Sequence, residues 1–480
     1  TLSATFTAMD SGGPIEYNQV ISSSTRQISV RYSDCVSSNF RFGLDGDATL
    51  YRFSRSRVND GSDPYFAQGT LTTALTNDVT VLSSTENGTS PTAGILPYEV
   101  IDVDGTHGVY FGYYWSFGKM LVRTDGYGNA AVTTYLDDST DTIARDAGTS
   151  VEIPGFFMGA YEGDVDDGSN QMKSWFWDYK ITRTIYNNAD EPLVEADVCI
   201  GDADDFAEVT DIFENNNAEI QDYIQVIKID YPWTVPAGTA AREDVATEDA
   251  WLPDTTTYPN GMNLWSAIKA YSSDLFLSLY MSDTYQGADI ATEAGRNAEI
   301  AALVERFRPT NNTYGVGFDY WRSDFTVEAI RDYDSHEGLL SILDYMIANY
   351  EDFRYEHCSG GGSLKDFTTL ERMTFMTTED TALPLNYRMS LYANTYMISP
   401  LQCKADLNPM ITTQTYGGIT GTWIVCDNQG NPVQPWTSSE YMKYMLRTAM
   451  LGTPMVAFSR DCLAANVGLI EDTYALYQDV

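Results

Sequence analysis

Histidine is nearly missing from this 480-residue chain, which holds only His107, His336 and His357. Six cysteines (Cys35, Cys199, Cys358, Cys403, Cys426 and Cys462) are scattered without a Cys-x-x-Cys pair, so a zinc site is not expected. Six thiols leave room for three disulfides of undetermined connectivity. Positive charge is also scarce: 28 Lys and Arg face 68 Asp and Glu, for a formal net charge of -40, and lysine is rarer than arginine. Such a field repels nucleic acid and anionic membrane, so neither is expected as a partner. It reads as a solvated surface suited to secretion or to a saline or acidic habitat. No apolar run reaches 18 residues, so no transmembrane helix is expected. The chain opens at Thr1 without Met or a signal-like stretch, and the expectation is a removed leader and a secreted or extracytoplasmic location. Asn87-Gly-Thr and Asn311-Asn-Thr match the glycosylation sequon, a near-chance number for this length.

What is present suits large cores: 43% of residues are hydrophobic and 13% aromatic. Residues 1 to about 185 read as β, with short alternating runs cut by turn signals such as Asp10-Ser-Gly-Gly-Pro14, Asp60-Gly-Ser-Asp-Pro64 and Asp125-Gly-Tyr-Gly-Asn129. Gly108 to Trp115 and Lys119 to Arg123 look like partners in one hairpin, and helical periodicity is nearly absent. An antiparallel β-sandwich is predicted here. Its tail, Pro154 to Asp164 followed by Trp175-Phe-Trp177, reads as a core strand and an aromatic-rich loop, alternatively one reaching toward a sugar ring.

Asn187-Asn-Ala-Asp-Glu-Pro192 marks a boundary, giving domains 1–190 and 191–480. Beyond it strand-like and helix-like runs alternate. Predicted strands are Leu193 to Ile200, Tyr223 to Trp233, Leu275 to Met281, the run ending near Trp321, and the runs to Glu356 and Thr377. Predicted helices are Asp211 to Ile220, Leu264 to Tyr271, Glu293 to Phe307, Gly338 to Ala348 and Leu385 to Tyr396, with Ser439 to Gly452 and Ile470 to Gln478 near the end. Thr412 to Trp436 reads as an inserted loop or hairpin. The expected fold is multi-domain α and β: a sandwich followed by a (β/α)8 TIM-type barrel.

A barrel of this kind collects its chemistry at the C-terminal ends of its strands. Asp230, Asp324, Glu356, Glu379 and Asp380 all fall at such ends, without a metal-ligand cluster near them. Paired acids on different strands suit glycosidic bond chemistry, in which a retaining enzyme uses one carboxylate as nucleophile and one carboxylic acid as proton donor. Arg322 lies two residues before Asp324 and points to the same side in an extended strand. Of the histidines, His336 reads as a cap or packing residue, and His357 as a hydrogen-bonded support or a substrate contact. Tyr280, Asp283 and Tyr285 follow a strand end and are candidates to line a sugar site.

Glu356-His-Cys-Ser-Gly-Gly-Gly362 is similar to the Glu-Asn-Cys-Ser-Gly-Gly-Gly of the α-galactosidases of glycoside hydrolase family 36. Tyr161 to Asn170 resembles the stretch closing that family's β-sandwich, and Tyr258-Pro-Asn-Gly-Met262 its Phe-Pro-Asn-Gly-Leu. The resemblance implies a sandwich joined to a (β/α)8 barrel, with the usual C-terminal β domain apparently absent. It implies a retaining, exo-acting hydrolase that removes terminal α-linked galactose-configured sugars from oligo- or polysaccharides. No cofactor and no metal are implied, and a homo-oligomer is possible. Asp324 matches the nucleophile, with Arg322 for the family's lysine and Ser323 for its aromatic residue. Asp380 matches the acid/base, Glu379 being the alternative. The substrate-binding matches are Asp230, Trp233, Arg322, Glu356, Cys358, Ser359 and Gly360. Tyr231 stands where the family has a second acid, and Lys365 near its missing arginine. The alternatives implied are an α-N-acetylgalactosaminidase, an α-galactosyl transglycosylase and an inactive sugar-binding relative.

Overall fold

A computed structural model describes residues 1–9, 13–55, 70–76, 78–84, 94–125, 127–137, 141–181, 197–199, 226–229, 251, 264–282, 284–309, 317–324, 332–358, 362, 365–379, 383–409, 413–416, 419–422, 425–426, 429, 431–457 and 460–478. The sequons, the 187–192 boundary, the expected helix from Asp211 to Ile220 and the Tyr258 to Met262 motif lie outside these residues.

The N-terminal part has two large antiparallel sheets and a small two-stranded one, Ile28–Arg31 with Thr142–Arg145. Seven strands pair in the order Leu2–Ala8, Ile15–Ser22, Ser150–Glu162, His107–Tyr113, Ile95–Val103, Ala48–Ser54 and Thr70–Ala74. Four pair in the order Val36–Gly43, Asn129–Tyr135, Lys119–Thr124 and Thr80–Ser84. His107–Tyr113 and Lys119–Thr124 are therefore not hairpin partners. They belong to different sheets, and the turn between them, with Trp115 and Phe117 buried, carries the chain from one to the other.

Alternation along Ser150–Glu162 shows how the layers meet, because successive side chains point to opposite faces. Phe156 stacks on Phe40 of the smaller sheet at 5.3 Å. Phe157 faces the other way and packs on Trp175 at 4.9 Å and on Phe367 at 4.8 Å. Trp175 lies on a helix, Val165–Tyr179, where the sequence pattern suggests a loop. Asp164 caps it by accepting from the backbone N–H groups of Asp166 and Asp167, and Asp167 accepts in return from Asp164. That reciprocal capping box satisfies donors a helix start would otherwise leave bare. Trp175 and Phe176 are buried beneath the seven-stranded sheet, so they serve the core.

The C-terminal part is built on one eight-stranded, all-parallel sheet. Its order is Cys403–Lys404, Phe375–Thr377, Arg354–His357, Tyr320–Asp324, Phe276–Ser282, Val226–Ile229, Asp197–Cys199 and Met455–Ala457. The sheet curls until its edges approach. Parallel bridges join Lys404 to Thr453 and Leu407 to Val456, and Leu407 N–H donates to the Met455 carbonyl at 3.1 Å.

Helices Leu264–Tyr271, Glu293–Arg306, Tyr333–Asn349, Phe367–Leu370, Pro384–Asn394, Ser439–Ala449 and Arg460–Gln478 intervene or follow. In Tyr333–Asn349 the buried Leu339, Ile342, Leu343 and Met346 recur at helical spacing and form the core-facing stripe. The glycine- and threonine-rich insert forms two small hairpins, Thr413–Tyr416 with Ile419–Thr422 and Val425–Cys426 with Pro432–Val433.

The two parts share a packed interface. Phe367 sits among Tyr98, Tyr114, Phe157 and Phe176. Tyr333 N–H donates to Tyr32 Oη at 2.7 Å, and Arg145 pairs with Asp334. Cys35, Cys358, Cys403 and Cys462 are buried and lie outside any disulfide, so the three disulfides that six cysteines allow do not form.

Candidate active site

Strand Tyr320–Asp324 places the centre of the site. Its neighbours in register set Arg322 beside Glu356 on one side and Tyr280 on the other, with Asp324 level with Ser282. Arg322 and Asp324 lie two apart on one face. Arg322 Nη1 is 3.6 Å from Asp324 Oδ2, and Arg322 Nε is 3.4 Å from Glu356 Oε1. Tyr280 backs the guanidinium, its ring centroid 5.9 Å from Arg322 Cζ.

Glu356 is the hub. Lys404 Nζ donates to its Oε2 at 2.7 Å, and Thr377 Oγ1 donates to its Oε1 at 3.3 Å. Lys228 belongs to the same interior, donating to Asp406 Oδ2 at 3.0 Å. Lys404 and Glu356 lie on strands separated by a third, and Lys228 and Asp406 meet across the sheet's concave side. The curl thus turns one face into an enclosed, charged interior. Burial pushes the Glu356 carboxyl up, but Lys404, Lys228 and Arg322 together outweigh it and bring it down to about 2. Glu356 is therefore a carboxylate at neutral pH and holds no proton to donate. Among the described residues Lys228 pairs with Asp406, Lys404 with Glu356, and Arg322 with both Glu356 and Asp324, so each of these charges has an opposite one beside it.

Exposure rises along this chain of contacts. Glu356 has 0% of its surface exposed, Arg322 1% and Asp324 9%, so the acid at the strand end is the one nearest solvent.

The opposite face of the same strands serves a different purpose. Ser323 Oγ lies 2.7 Å from Tyr355 Oη and 3.2 Å from His357 Nδ1. Burial pushes His357 down to about 3, so it is a neutral support for Ser323 and Tyr355. His336 is buried too. It packs edge-on against Trp115 at 4.9 Å and meets Asp366 Oδ2 at 3.3 Å. Both histidines therefore support the scaffold.

Cys358 N–H donates to the Ser323 carbonyl at 2.9 Å, which holds the end of strand Arg354–His357 against the central strand. The glycine run ends at Gly362 with φ +86°, where a Cβ would lie 2.3 Å from the Thr377 carbonyl oxygen. Only glycine fits that approach. Lys365 is fully buried, donating to the carbonyls of Arg55 at 2.7 Å and Thr378 at 2.8 Å. It ties the Thr378 end of strand Phe375–Thr377 to Arg55 of the sandwich, and burial pushes its ammonium down to about 7.

Of the residues singled out from the sequence, Asp324, Arg322 and Glu356 converge and Cys358 adjoins them. Glu379 is fully buried. Asp230, Trp233, Asp283, Ser359, Gly360 and Asp380 lie outside the described residues. Tyr285 packs against Trp251 at 5.2 Å, with Arg306 over its ring. The sequence reading missed Lys228, Lys404 and Asp406. A signal existed: the chain has eight lysines, and Lys228 interrupts an otherwise apolar strand.

An antiparallel sandwich leading into a curled parallel sheet, with charged groups at the sheet's C-terminal rim, defines a class of architecture. No family model and no curated protein matches the sequence. Solved structures with this fold include α-galactosidases. A family 36 enzyme from Geobacillus stearothermophilus superposes with a TM-score of 0.73 at 14% identity, over 100% of this chain and 67% of its own. An α-galactosidase from Lactobacillus brevis gives 0.73 at 12% identity, over 100% and 65%. The galactosidase domain of an α-galactosidase–sucrose kinase gives 0.72 at 12%, over 100% and 66%. The chain spans about two thirds of their length, and its fold is α-galactosidase-like. Variants of the Geobacillus enzyme have been solved with raffinose and with stachyose.

Proposed function

We propose that the chain is a retaining, exo-acting glycoside hydrolase of the α-galactosidase type, removing terminal α-linked, galactose-configured sugars from oligosaccharides of the raffinose kind. In this reading the eight parallel strands close as a (β/α)8 barrel, supported by the bridges from Lys404 and Leu407 to the Met455–Ala457 region. The observation that carries the proposal is Asp324 at the solvent-facing end of its strand, with Arg322 on the same face and Glu356 behind it. Asp324 attacks the anomeric carbon while Asp380, or Glu379 in its place, protonates the leaving oxygen. Water then hydrolyses the glycosyl-enzyme with the same acid acting as base. Arg322, Asp230, Trp233 and the segment Cys358, Ser359 and Gly360 bind the sugar.

Ser323 faces Tyr355 and His357, away from Asp324, so its departure from the family pattern is no argument for a different sugar.

The test is hydrolysis of aryl α-galactoside and aryl α-N-acetylgalactosaminide by the wild type and Asp324→Ala. Turnover of the galactoside is expected, falling by roughly 10³-fold or more in the variant, the scale of losing a nucleophile. Turnover of neither substrate, or an unimpaired variant, refutes the reading. Azide should rescue Asp380→Ala and not Glu379→Ala; the reverse would reassign the proton donor.

A further inference from the structure

We propose that Lys404 is a positioning residue of the site: it anchors Glu356, and through Glu356 it holds the Arg322 guanidinium against Asp324. This rests on the glycosidase reading above and deepens it, because it moves Glu356 from the sugar's contacts to the support behind them.

The geometry is a chain of buried charges that ends at the acid proposed to react. Lys404 Nζ is 2.7 Å from Glu356 Oε2, Glu356 Oε1 is 3.4 Å from Arg322 Nε, and Arg322 Nη1 is 3.6 Å from Asp324 Oδ2. Glu356 has no exposed surface, and its oxygens are taken by Thr377 of the adjacent strand and Lys404 of the strand beyond it. It has no face to offer a sugar. A guanidinium on a long flexible stem needs a fixed partner to keep one rotamer, and a carboxylate supplies it through charge-assisted contacts. That carboxylate must stay ionised inside the sheet, which requires cations close by.

Among the described residues, the groups facing Glu356 are Lys404 from Cys403–Lys404, Lys228 from Val226–Ile229, Arg322 from Tyr320–Asp324 and Thr377 from Phe375–Thr377. Lys228 shares its charge with Asp406, and Arg322 shares its own with Asp324. Lys404 makes the shortest of these contacts, and Glu356 is the carboxylate it pairs with among the described residues. Removing Lys404 therefore makes protonation of Glu356 easier. A protonated Glu356 releases Arg322, so activity falls from the acid side.

The experiment compares wild type, Lys404→Met, Lys404→Arg and the double variant Glu356→Gln/Lys404→Met on an aryl α-galactoside across pH. Lys404→Met should lose about 10- to 100-fold in kcat, the scale of a small misplacement of a reacting group, with KM changed much less. Its acidic limb should move up by about one pH unit or more. Lys404→Arg should restore most of both. The double variant leaves no unpaired charge at this contact, which protects its folding, and should remain slow because Arg322 still lacks its carboxylate. A second readout needs no turnover: the carboxyl-¹³C signal of Glu356, assigned by its loss in Glu356→Gln, should titrate at higher pH in Lys404→Met.

An active wild type with kcat and acid limb unchanged in Lys404→Met overturns the positioning role alone, as does a fully active double variant. An inert wild type whose carbon signal still shifts in Lys404→Met overturns the hydrolase reading and the role with it.

Discussion

Glu99 and Glu356 are both fully buried, yet they meet opposite electrostatic fates. Glu356 has three cations around it and is held down at about 2. Glu99 sits in the all-buried strand Ile95–Val103, where burial pushes its carboxyl up to about 7 and Ser83 and Arg52 offset this only in part. A folded-state value raised from 4.5 means that stability is fully present below about pH 4.5 and is lost as pH rises through 7. The full difference corresponds to a cost on the order of 3 kcal/mol above pH 7. Glu99→Gln should therefore raise the melting temperature at pH 8 and change it little at pH 4.5. An equal effect at both values would show that the carboxyl's charge is not the cause. Neither fate is legible in a residue string. Glu356 stands out through the Glu-x-Cys-Ser-Gly-Gly-Gly motif, but its cations come from positions 228, 322 and 404, which only folding brings together.

At the scale of elements, the helix Val165–Tyr179 is where sequence and structure part. Flanking β patterning and a glycine at position 168 hide it, and Trp175-Phe-Trp177 looks like a recognition loop. The signal that announces it is the acid pair Asp164 and Asp167 at capping-box spacing. Asp164→Ala should cost about 1 kcal/mol of local stability. Amide exchange over residues 165–169 should accelerate by about fivefold, the factor that such an energy implies. Exchange unchanged there would mean that tertiary packing of Trp175 and Phe176 alone holds the helix. Other elements were plain in the chain. Leu264–Tyr271 and Glu293–Arg306 fall almost where apolar periodicity places them. The short strands Cys403–Lys404 and Met455–Ala457 leave no alternation long enough to read.

For the whole molecule, the question is what makes sandwich and parallel sheet one body. Phe367 is the central contact, with ring centroids 4.8 Å from Phe157, 5.3 Å from Phe176, 5.9 Å from Tyr114 and 6.5 Å from Tyr98. Lys365, two residues earlier, donates to the Arg55 carbonyl across the same boundary. Gly112 is needed beneath the ring, since a Cβ there would come within 2.7 Å of Phe367 Cε2. Phe367→Ala should cost about 3–5 kcal/mol, the usual range for an emptied aromatic site. Calorimetry should then separate the unfolding of the two parts. A single transition merely shifted to lower temperature would mean that the rest of the interface, such as Tyr32 on Tyr333, suffices to couple them.

By itself the sequence determined the alternation of elements, because hydrophobic period and capping chemistry act within a few residues of one another. It also determined Asp324 with Arg322 at a strand end, since two-residue spacing in an extended strand places both on one face. The tertiary structure decided everything that depends on curling. The curl of the parallel sheet brought Lys228 to Asp406 and Lys404 to Glu356, and burial made their charges count. It also decided that Trp175 packs inward while Ser323 and His357 face away from Asp324, because a side chain's purpose follows from which neighbouring layer covers it.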